Sequence, residues 1–102
     1  MPEGVTTLNV AQVKELLNSN TIDIIVIDVR TPEEAAAGML AKAINIDVKN
    51  DNFVSEVAKL DRTKNYLLYC KSGMRSGIAA ISMHDLGFTS VKVSSAGYEE
   101  LK

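Results

Sequence analysis

Short, β-branched apolar runs alternate along this chain with segments whose apolar residues recur at helical spacing. Residues 22–27 are almost continuously apolar, which is typical of a strand buried on both faces. The other predicted strands are 43–46, 65–69 and 90–93. This alternation favours a parallel sheet, because parallel strands need crossover connections. The fold that we predict is α/β: a three-layer sandwich with a central, mostly parallel sheet of about four to five strands flanked by helices.

Helices are predicted between these strands from apolar spacing and from capping residues. The pattern at 10–17 follows Asn9, a suitable N-cap, and a second helix begins after Thr31, with Pro32 in its first turn. Glu34 occupies the capping-box position of that helix, and Gly38 can end it. The remaining helices are predicted at 53–60, 76–86 and 98–102. Without a linker or an internal repeat, residues 1–102 are predicted to form a single domain.

Composition and charge narrow the class of protein. Apolar residues make up 46% and charged residues 24% of the chain, as in soluble globular proteins, and the formal net charge is −2. Basic residues do not cluster, so we expect no nucleic-acid or membrane partner. One cysteine and one histidine are too few for a structural zinc site, and we expect neither a metal nor a cofactor. There is no signal-peptide pattern, and a lone thiol suits a reducing compartment, so we expect a cytoplasmic protein.

The single cysteine, Cys70, follows the predicted strand at 65–69 and precedes the predicted helix at 76–86. In an open α/β sheet, ligands bind at the carboxyl ends of the strands, where such a loop lies. The N–H groups of a tight loop and the positive end of the following helix favour the thiolate, which is the nucleophilic form. Gly73 permits a backbone conformation closed to other residues. Hydroxyl donors and positive charge come from other residues of the loop: Lys71, Ser72, Arg75 and Ser76.

Four segments together resemble the rhodanese family of sulfurtransferases. Residues 70–76, Cys-Lys-Ser-Gly-Met-Arg-Ser, match the Cys-x-x-Gly-x-Arg-Ser loop that is common in single-domain rhodaneses. Residues 26–34 are similar to the family's first strand and turn, and residues 42–47 are similar to its next strand. Leu86-Gly87-Phe88, followed by Ala96-Gly97, resembles the family's late segment. Because the four segments occur in the family's order over nearly the whole chain, the chain resembles a single-domain rhodanese.

The resemblance implies a thiosulfate sulfurtransferase in which Cys70 is the catalytic residue. Its thiolate would attack the outer sulfur of a small anionic donor such as thiosulfate, release sulfite and become a persulfide. Cyanide, a thiol or a protein sulfur acceptor would then remove that sulfur, so the reaction has two half-reactions. The implied substrate-binding residues are those of the loop and one arginine after the strand at 22–27: Lys71, Ser72, Gly73, Met74, Arg75, Ser76 and Arg30.

Several alternatives stay open. One is a rhodanese-like module that binds a protein partner, senses redox state or relays a persulfide without independent turnover. A phosphatase is disfavoured, because the four residues between Cys70 and Arg75 make a smaller cradle than the Cys-x5-Arg loop of phosphatases. Arg30 could line the pocket, or it could pair with Asp28 and brace the loop; for Asp28 we favour a structural role.

Two residues outside the loop, His84 and Tyr98, are weaker candidates. His84 lies on the same predicted helix as Ser76, about 12 Å further along its axis, which is too far to activate Cys70. We therefore expect His84 at the surface, while Tyr98 could either shield the loop or be exposed.

The chain also departs from the family pattern. Met39 stands where histidine is common, and Lys71 lies one position earlier than the lysine of some thiosulfate-specific loops, which leaves the natural donor open.

Overall fold

The computed structural model describes residues 4–18, 24–40, 42–49, 51–71 and 74–102. Strands and helices alternate strictly along these ranges. The strands are β1 (Val5–Leu8), β2 (Ile24–Asp28), β3 (Ile44–Asn45), β4 (Asn65–Tyr69) and β5 (Ser90–Ser94). The helices are α1 (Val10–Asn18), α2 (Pro32–Ala36), α3 (Phe53–Ala58), α4 (Met74–Asp85) and α5 (Tyr98–Leu101). Within the described ranges, no helix combines the length and the apolar character that crossing a membrane requires.

The five strands form one parallel sheet in the order β1-β5-β4-β2-β3. β4 is the central strand and pairs with β5 on one side and β2 on the other. The predicted α/β fold with a central parallel sheet flanked by helices is therefore confirmed. Since all strands run in the same direction, the loops that follow β2, β3 and β4 meet at one edge of the sheet.

Successive residues of β4 pack on opposite faces of the sheet. Tyr66, Leu68 and Cys70 belong to the core that includes residues of α3 and α4. Leu67 and Tyr69 belong to the core that includes residues of α1 and α5. All five side chains are fully buried. The helices thus form two outer layers, and Cys70 faces the layer that contains the helix following it.

Both N-caps predicted for the first two helices are formed. The backbone N–H of Gln12 donates to Oδ1 of Asn9 over 2.9 Å, which caps α1. Thr31 and Glu34 form a reciprocal capping box at the start of α2. These side chains satisfy N–H groups that a helix cannot pair internally, so the local sequence determines where both helices begin.

The edge strand β1 is absent from the sequence-based prediction. Thr6 and Thr7 are exposed and only Val5 of this strand is buried, so the segment lacks the apolar run used to recognise strands. Pairing with β5, where Val5 lies beside Val91, holds it in the sheet. Of the strand predicted at 22–27, residues 22 and 23 lie outside the described ranges.

The boundaries of several other elements also differ from the prediction. α4 begins at Met74, two residues earlier than the predicted start at 76. Methionine and arginine are good helix formers, and both are in its first turn. β3 is limited to Ile44–Asn45 and α3 to Phe53–Ala58, so both are shorter than predicted. The earlier start of α4 leaves only residues 71–73 between Cys70 and this helix.

Candidate active site

Cys70 lies at the carboxyl end of the central strand and is fully buried. Its Sγ is 3.7 Å from Oγ of Ser76, a hydrogen-bonding distance for sulfur, and Ser76 is buried in the first turn of α4. A thiol donates to such a hydroxyl, whereas a thiolate accepts from it. The structure therefore brings together the two ends of the predicted loop, Cys70 and Ser76.

The position of Ser76 also places the sulfur beside the N-terminal turn of α4. This helix has 12 residues, and the N–H groups of its first turn have no intrahelical partner. The positive end of the helix dipole favours a negative charge at this position. A thiolate or persulfide on Cys70 would therefore be stabilised by the backbone as well as by the hydroxyl group of Ser76.

The other predicted loop residues differ in how they are placed. Lys71 is exposed at the start of the loop, and Met74 is the first residue of α4. Ser72 and Gly73 lie outside the described residues, so the predicted backbone nest and the need for glycine stay predictions. Arg75 lies in the first turn of α4, and its side chain is 18% exposed.

Arg75 forms a bidentate ion pair with Glu34. Its Nη1 and Nη2 donate to Oε1 and Oε2 of Glu34 over 2.8 and 3.2 Å. Hydrogen bonding from Arg75 is the main reason that the pKa of Glu34 falls from 4.5 to about 2. The pKa of Arg75 is raised, first by the hydrogen bond with Glu34 and less by the charges of Glu34, Cys70 and Asp47. Arg75 therefore acts on the cysteine loop with much of its charge already balanced.

Glu34 has two structural roles at once. Its Oε1 accepts hydrogen bonds from the backbone N–H and the Oγ1 of Thr31 over 3.1 and 3.0 Å, which caps α2. The same oxygen accepts from Arg75, so this carboxylate links the first turns of α2 and α4. From the sequence, Glu34 is assigned only to the cap. Only the strand order could have predicted the pair of Glu34 with Arg75. Because β2 and β4 are neighbours, the loops that follow them meet.

Arg30 is buried, and its guanidinium group has several partners. Its Nε donates to both carboxylate oxygens of Asp28 over 3.0 Å, and its Nη2 donates to Oδ2 over 2.6 Å. Nη2 also donates to the carbonyl oxygen of Gly38. The guanidinium carbon lies 4.3 Å from the centroid of the Tyr98 ring. Because Arg30 is only 5% exposed, these contacts favour a brace over a wall of the substrate pocket.

Asp28 is the centre of a buried polar network that fixes the loop after β2. Its Oδ2 accepts a hydrogen bond of 2.9 Å from the hydroxyl of Tyr69, which in turn accepts one from the backbone N–H of Leu40. Burial is the main reason that the pKa of Tyr69 is raised, so its hydroxyl stays protonated. The side-chain amide of Asn45 donates to the carbonyls of Asp28 and Arg30 over 3.0 Å. The structural role predicted for Asp28 agrees with these contacts.

Tyr98 and His84 differ in their relation to the cysteine. Tyr98 is half-buried; its ring stacks on Tyr69, with centroids 6.3 Å apart, and its backbone N–H donates to the carbonyl of Cys70 over 2.9 Å. It packs beside the loop rather than projecting freely from it. His84 is half-buried in the last turn of α4, at the opposite end of that helix from Cys70. It is not placed to activate the sulfur.

A pocket of about 240 Å³ opens at the same edge of the sheet, between the start of α2, the end of β3 and the start of α3. Two carboxylates, Asp47 and Glu56, line it together with Asn45 and Phe53. Its described lining does not include the cysteine loop. The negative charge of Asp47 also acts on Arg75 and helps to raise its pKa.

Comparisons with known proteins show what this chain is similar to. The family model of the Rhodanese-like domain matches residues 9–102. The tRNA sulfurtransferase of Shewanella halifaxensis is 36% identical over an alignment of 91 residues, and the match covers 86% of this chain and 18% of that protein. The tRNA sulfurtransferase of Proteus mirabilis is 37% identical over 82 residues, 78% of this chain and 17% of that protein. The chain thus spans less than a fifth of the length of these curated relatives.

Solved structures with the same fold include shorter proteins. A rhodanese-related protein from Thermoplasma volcanium is 30% identical, with a TM-score of 0.70, and the match covers 94% of this chain and 89% of that one. The human single-domain sulfurtransferase TSTD1 is 26% identical, with a TM-score of 0.72, and 92% of each chain is covered. In these two proteins, unlike the curated relatives, the matched region is most of the chain.

Proposed function

This chain belongs to the rhodanese-like domain family of sulfurtransferases, and we propose that it carries a sulfane sulfur as a persulfide on Cys70. The observation that supports this most directly is the surroundings of the sulfur. Cys70 Sγ lies 3.7 Å from the hydroxyl of Ser76 and beside the first turn of α4. Both features stabilise negative charge on sulfur, in the thiolate and in the persulfide alike.

The proposed reaction has two half-reactions. In the first, the thiolate of Cys70 attacks the outer sulfur of a donor such as thiosulfate. The sulfur–sulfur bond of the donor breaks, sulfite leaves with the electron pair of that bond, and a persulfide forms on Cys70. In the second, a thiolate or cyanide attacks the outer sulfur of the persulfide, and Cys70 leaves as a thiolate. The products are a new persulfide or thiocyanate.

The loop residues would bind the reacting sulfur species. We assign this role to Lys71, Ser72, Gly73, Met74, Arg75 and Ser76. Arg30 would act indirectly, by holding the loop after β2 through its ion pair with Asp28. We further propose that the protein works in a reducing compartment, the cytoplasm, where a single thiol stays available for transfer.

A second candidate is a relay that passes the sulfur to another protein. The curated relatives are named tRNA sulfurtransferases, and the region similar to this chain is less than a fifth of their length. A domain of this kind can therefore occur beside other protein segments. In a relay, the acceptor that discharges Cys70 would be a protein thiol, and turnover with small acceptors would be slow.

Intact-mass measurement tests the proposal. After incubation with thiosulfate or with a thiol persulfide, and removal of the donor, the protein should gain about 32 Da, the mass of one sulfur atom. Cys70→Ser should gain nothing, and sulfite should appear when thiosulfate is the donor. If no donor adds a sulfur atom, the persulfide mechanism is wrong and the binding module is favoured. If Cys70 takes up sulfur but only a protein thiol removes it, the relay would be favoured.

A further inference from the structure

The cations around the cysteine loop are largely paired with carboxylates. The structure records three such pairs: Arg30 with Asp28 over 2.6 Å, Arg75 with Glu34 over 2.8 Å, and Lys102 with Glu99 over 2.7 Å. Among the described residues, Lys71 forms no ion pair, and it lies near enough to Glu99 for the two charges to interact. Three of these four positive charges are therefore balanced locally.

One carboxylate outside these three pairs, Asp47, also acts on the side chains of the loop. Its charge interacts with that of Arg75. The single positive charge of Lys71 is thus opposed by at least one carboxylate. The charged side chains that the structure describes around Cys70 therefore nearly balance, so an incoming anion is attracted mainly by the backbone at the start of α4.

We propose that Glu34 is a specificity-determining residue, which by pairing with Arg75 disfavours dianionic thiosulfate and favours thiol persulfides with at most one negative charge. This inference rests on the proposed function and names the class of donor for the same site. Glu34 acts as a positioning residue, because it contacts Arg75 and Thr31 rather than the reacting sulfur.

The favoured donor step balances in atoms and charge. The thiolate of Cys70 attacks the outer sulfur of a persulfide, R–S–SH, and the bond between its two sulfur atoms breaks. The donor leaves as the thiolate R–S⁻ with the bonding electron pair, and the outer sulfur becomes bound to Cys70. The proton then passes from the new persulfide to the leaving thiolate. No oxidant or reductant is consumed.

The chain offers a matched pair of variants. Glu34→Gln removes the charge that balances Arg75, and glutamine is also accepted at the capping-box position, so α2 keeps its cap. Glu33→Gln removes the same charge from the same helical turn, at an exposed residue that is outside the Arg75 pair. If Glu34→Gln has a larger effect than Glu33→Gln, the excess is due to the loss of the ion pair with Arg75 rather than to the change in net charge.

The measurement is kcat/KM for loading of Cys70 from thiosulfate and from the persulfide of 2-mercaptoethanol. We expect the wild type to prefer the persulfide. Because electrostatic free energy is proportional to the charge of the donor, we expect Glu34→Gln to raise kcat/KM about tenfold for thiosulfate and about threefold for the persulfide. Glu33→Gln should change both by less than about twofold. A wild type that prefers thiosulfate would overturn the inference. So would the same ratio of the two kcat/KM values, thiosulfate over persulfide, in Glu34→Gln and Glu33→Gln.

Salt dependence supplies a test that needs no variant. Because the charged side chains nearly balance and the helix dipole acts only over a short range, the rate of loading from thiosulfate in the wild type should change less than about twofold between low and physiological salt. A steep fall with salt would show that thiosulfate is attracted by unbalanced cations, and the assignment of Glu34 would be wrong. Failure of the proposed function itself is distinct, because then neither donor would add sulfur to Cys70.

Discussion

The backbone N–H of Tyr98 donates a hydrogen bond of 2.9 Å to the carbonyl oxygen of Cys70. The first residue of α5 is thereby joined to the residue that begins the cysteine loop. The ring of Tyr98 also lies over Arg30, which pairs with Asp28 at the end of β2. The C-terminal helix, the loop after β2 and the cysteine loop therefore form one connected structure, although they are far apart in the chain.

Gly38→Ala should destabilise this connection. A Cβ at Gly38 would lie 2.6 Å from Oη of Tyr98, and the φ of +151° at Gly38 is one that other residues rarely adopt. We expect a loss of about 1–3 kcal/mol in the free energy of unfolding, measured with urea. In a Tyr98→Phe background, which lacks the hydroxyl, the same substitution should cost less. An equal cost in both backgrounds would contradict a clash with Tyr98.

Arg30→Met separates the two roles considered for Arg30. If Arg30 is a brace, its removal leaves the buried carboxylate of Asp28 without its cation. We then expect a loss of about 3–5 kcal/mol in the free energy of unfolding. Urea unfolding gives this value, and kinetics on the folded fraction should show a KM for the donor close to that of the wild type. A stable variant with a strongly raised KM would instead identify Arg30 as part of the pocket.

Glu34 should contribute a pH-dependent part of the stability. Its pKa is lowered from 4.5 to about 2 in the folded protein, chiefly by hydrogen bonding from Arg75, so the folded state binds this proton less tightly than the unfolded state. The contribution is fully present above pH 4.5 and is lost as the pH falls toward about 2. The difference in unfolding free energy between wild type and Glu34→Gln should therefore shrink across this interval. Parallel pH curves for the two proteins would contradict the ion pair.

Arg75→Ala should raise the pKa of the Cys70 thiol, because it removes a positive charge that interacts with the sulfur. It also leaves Glu34 unbalanced, which adds a negative charge near the loop. We therefore expect a smaller rise when Glu34→Gln is combined with Arg75→Ala. The rate of thiol alkylation as a function of pH gives the pKa of Cys70 in the single and in the double variant. Identical titration curves for wild type and Arg75→Ala would show that Arg75 has no electrostatic role.

The sheet and the position of Cys70 could be predicted from the sequence because each rests on a local pattern. The apolar strand at 65–69, the capping residues Asn9 and Thr31, and the alternation of strands and helices are all visible in short windows. β1 could not be recognised in this way, because an edge strand with two exposed threonines is held by pairing with β5.

The ion pairs of the site depend on contacts that no local pattern contains. Glu34 and Arg75 are 41 residues apart and meet because β2 and β4 are neighbours in the sheet. The hydroxyl of Tyr69 reaches Asp28 across the same pair of strands. The sequence indicated that the loop carries positive charge; only the fold shows that a carboxylate balances Arg75.

A single-turnover discharge experiment tests sulfur transfer through Cys70. Wild-type protein loaded with sulfur and separated from the donor is mixed with cyanide, and thiocyanate is measured together with the mass of the protein. We expect one thiocyanate per loaded Cys70 and a loss of about 32 Da, with neither change in Cys70→Ser treated identically. Thiocyanate formed equally by Cys70→Ser, or a loaded protein that releases none to cyanide or to a thiol, would contradict transfer through a persulfide on Cys70.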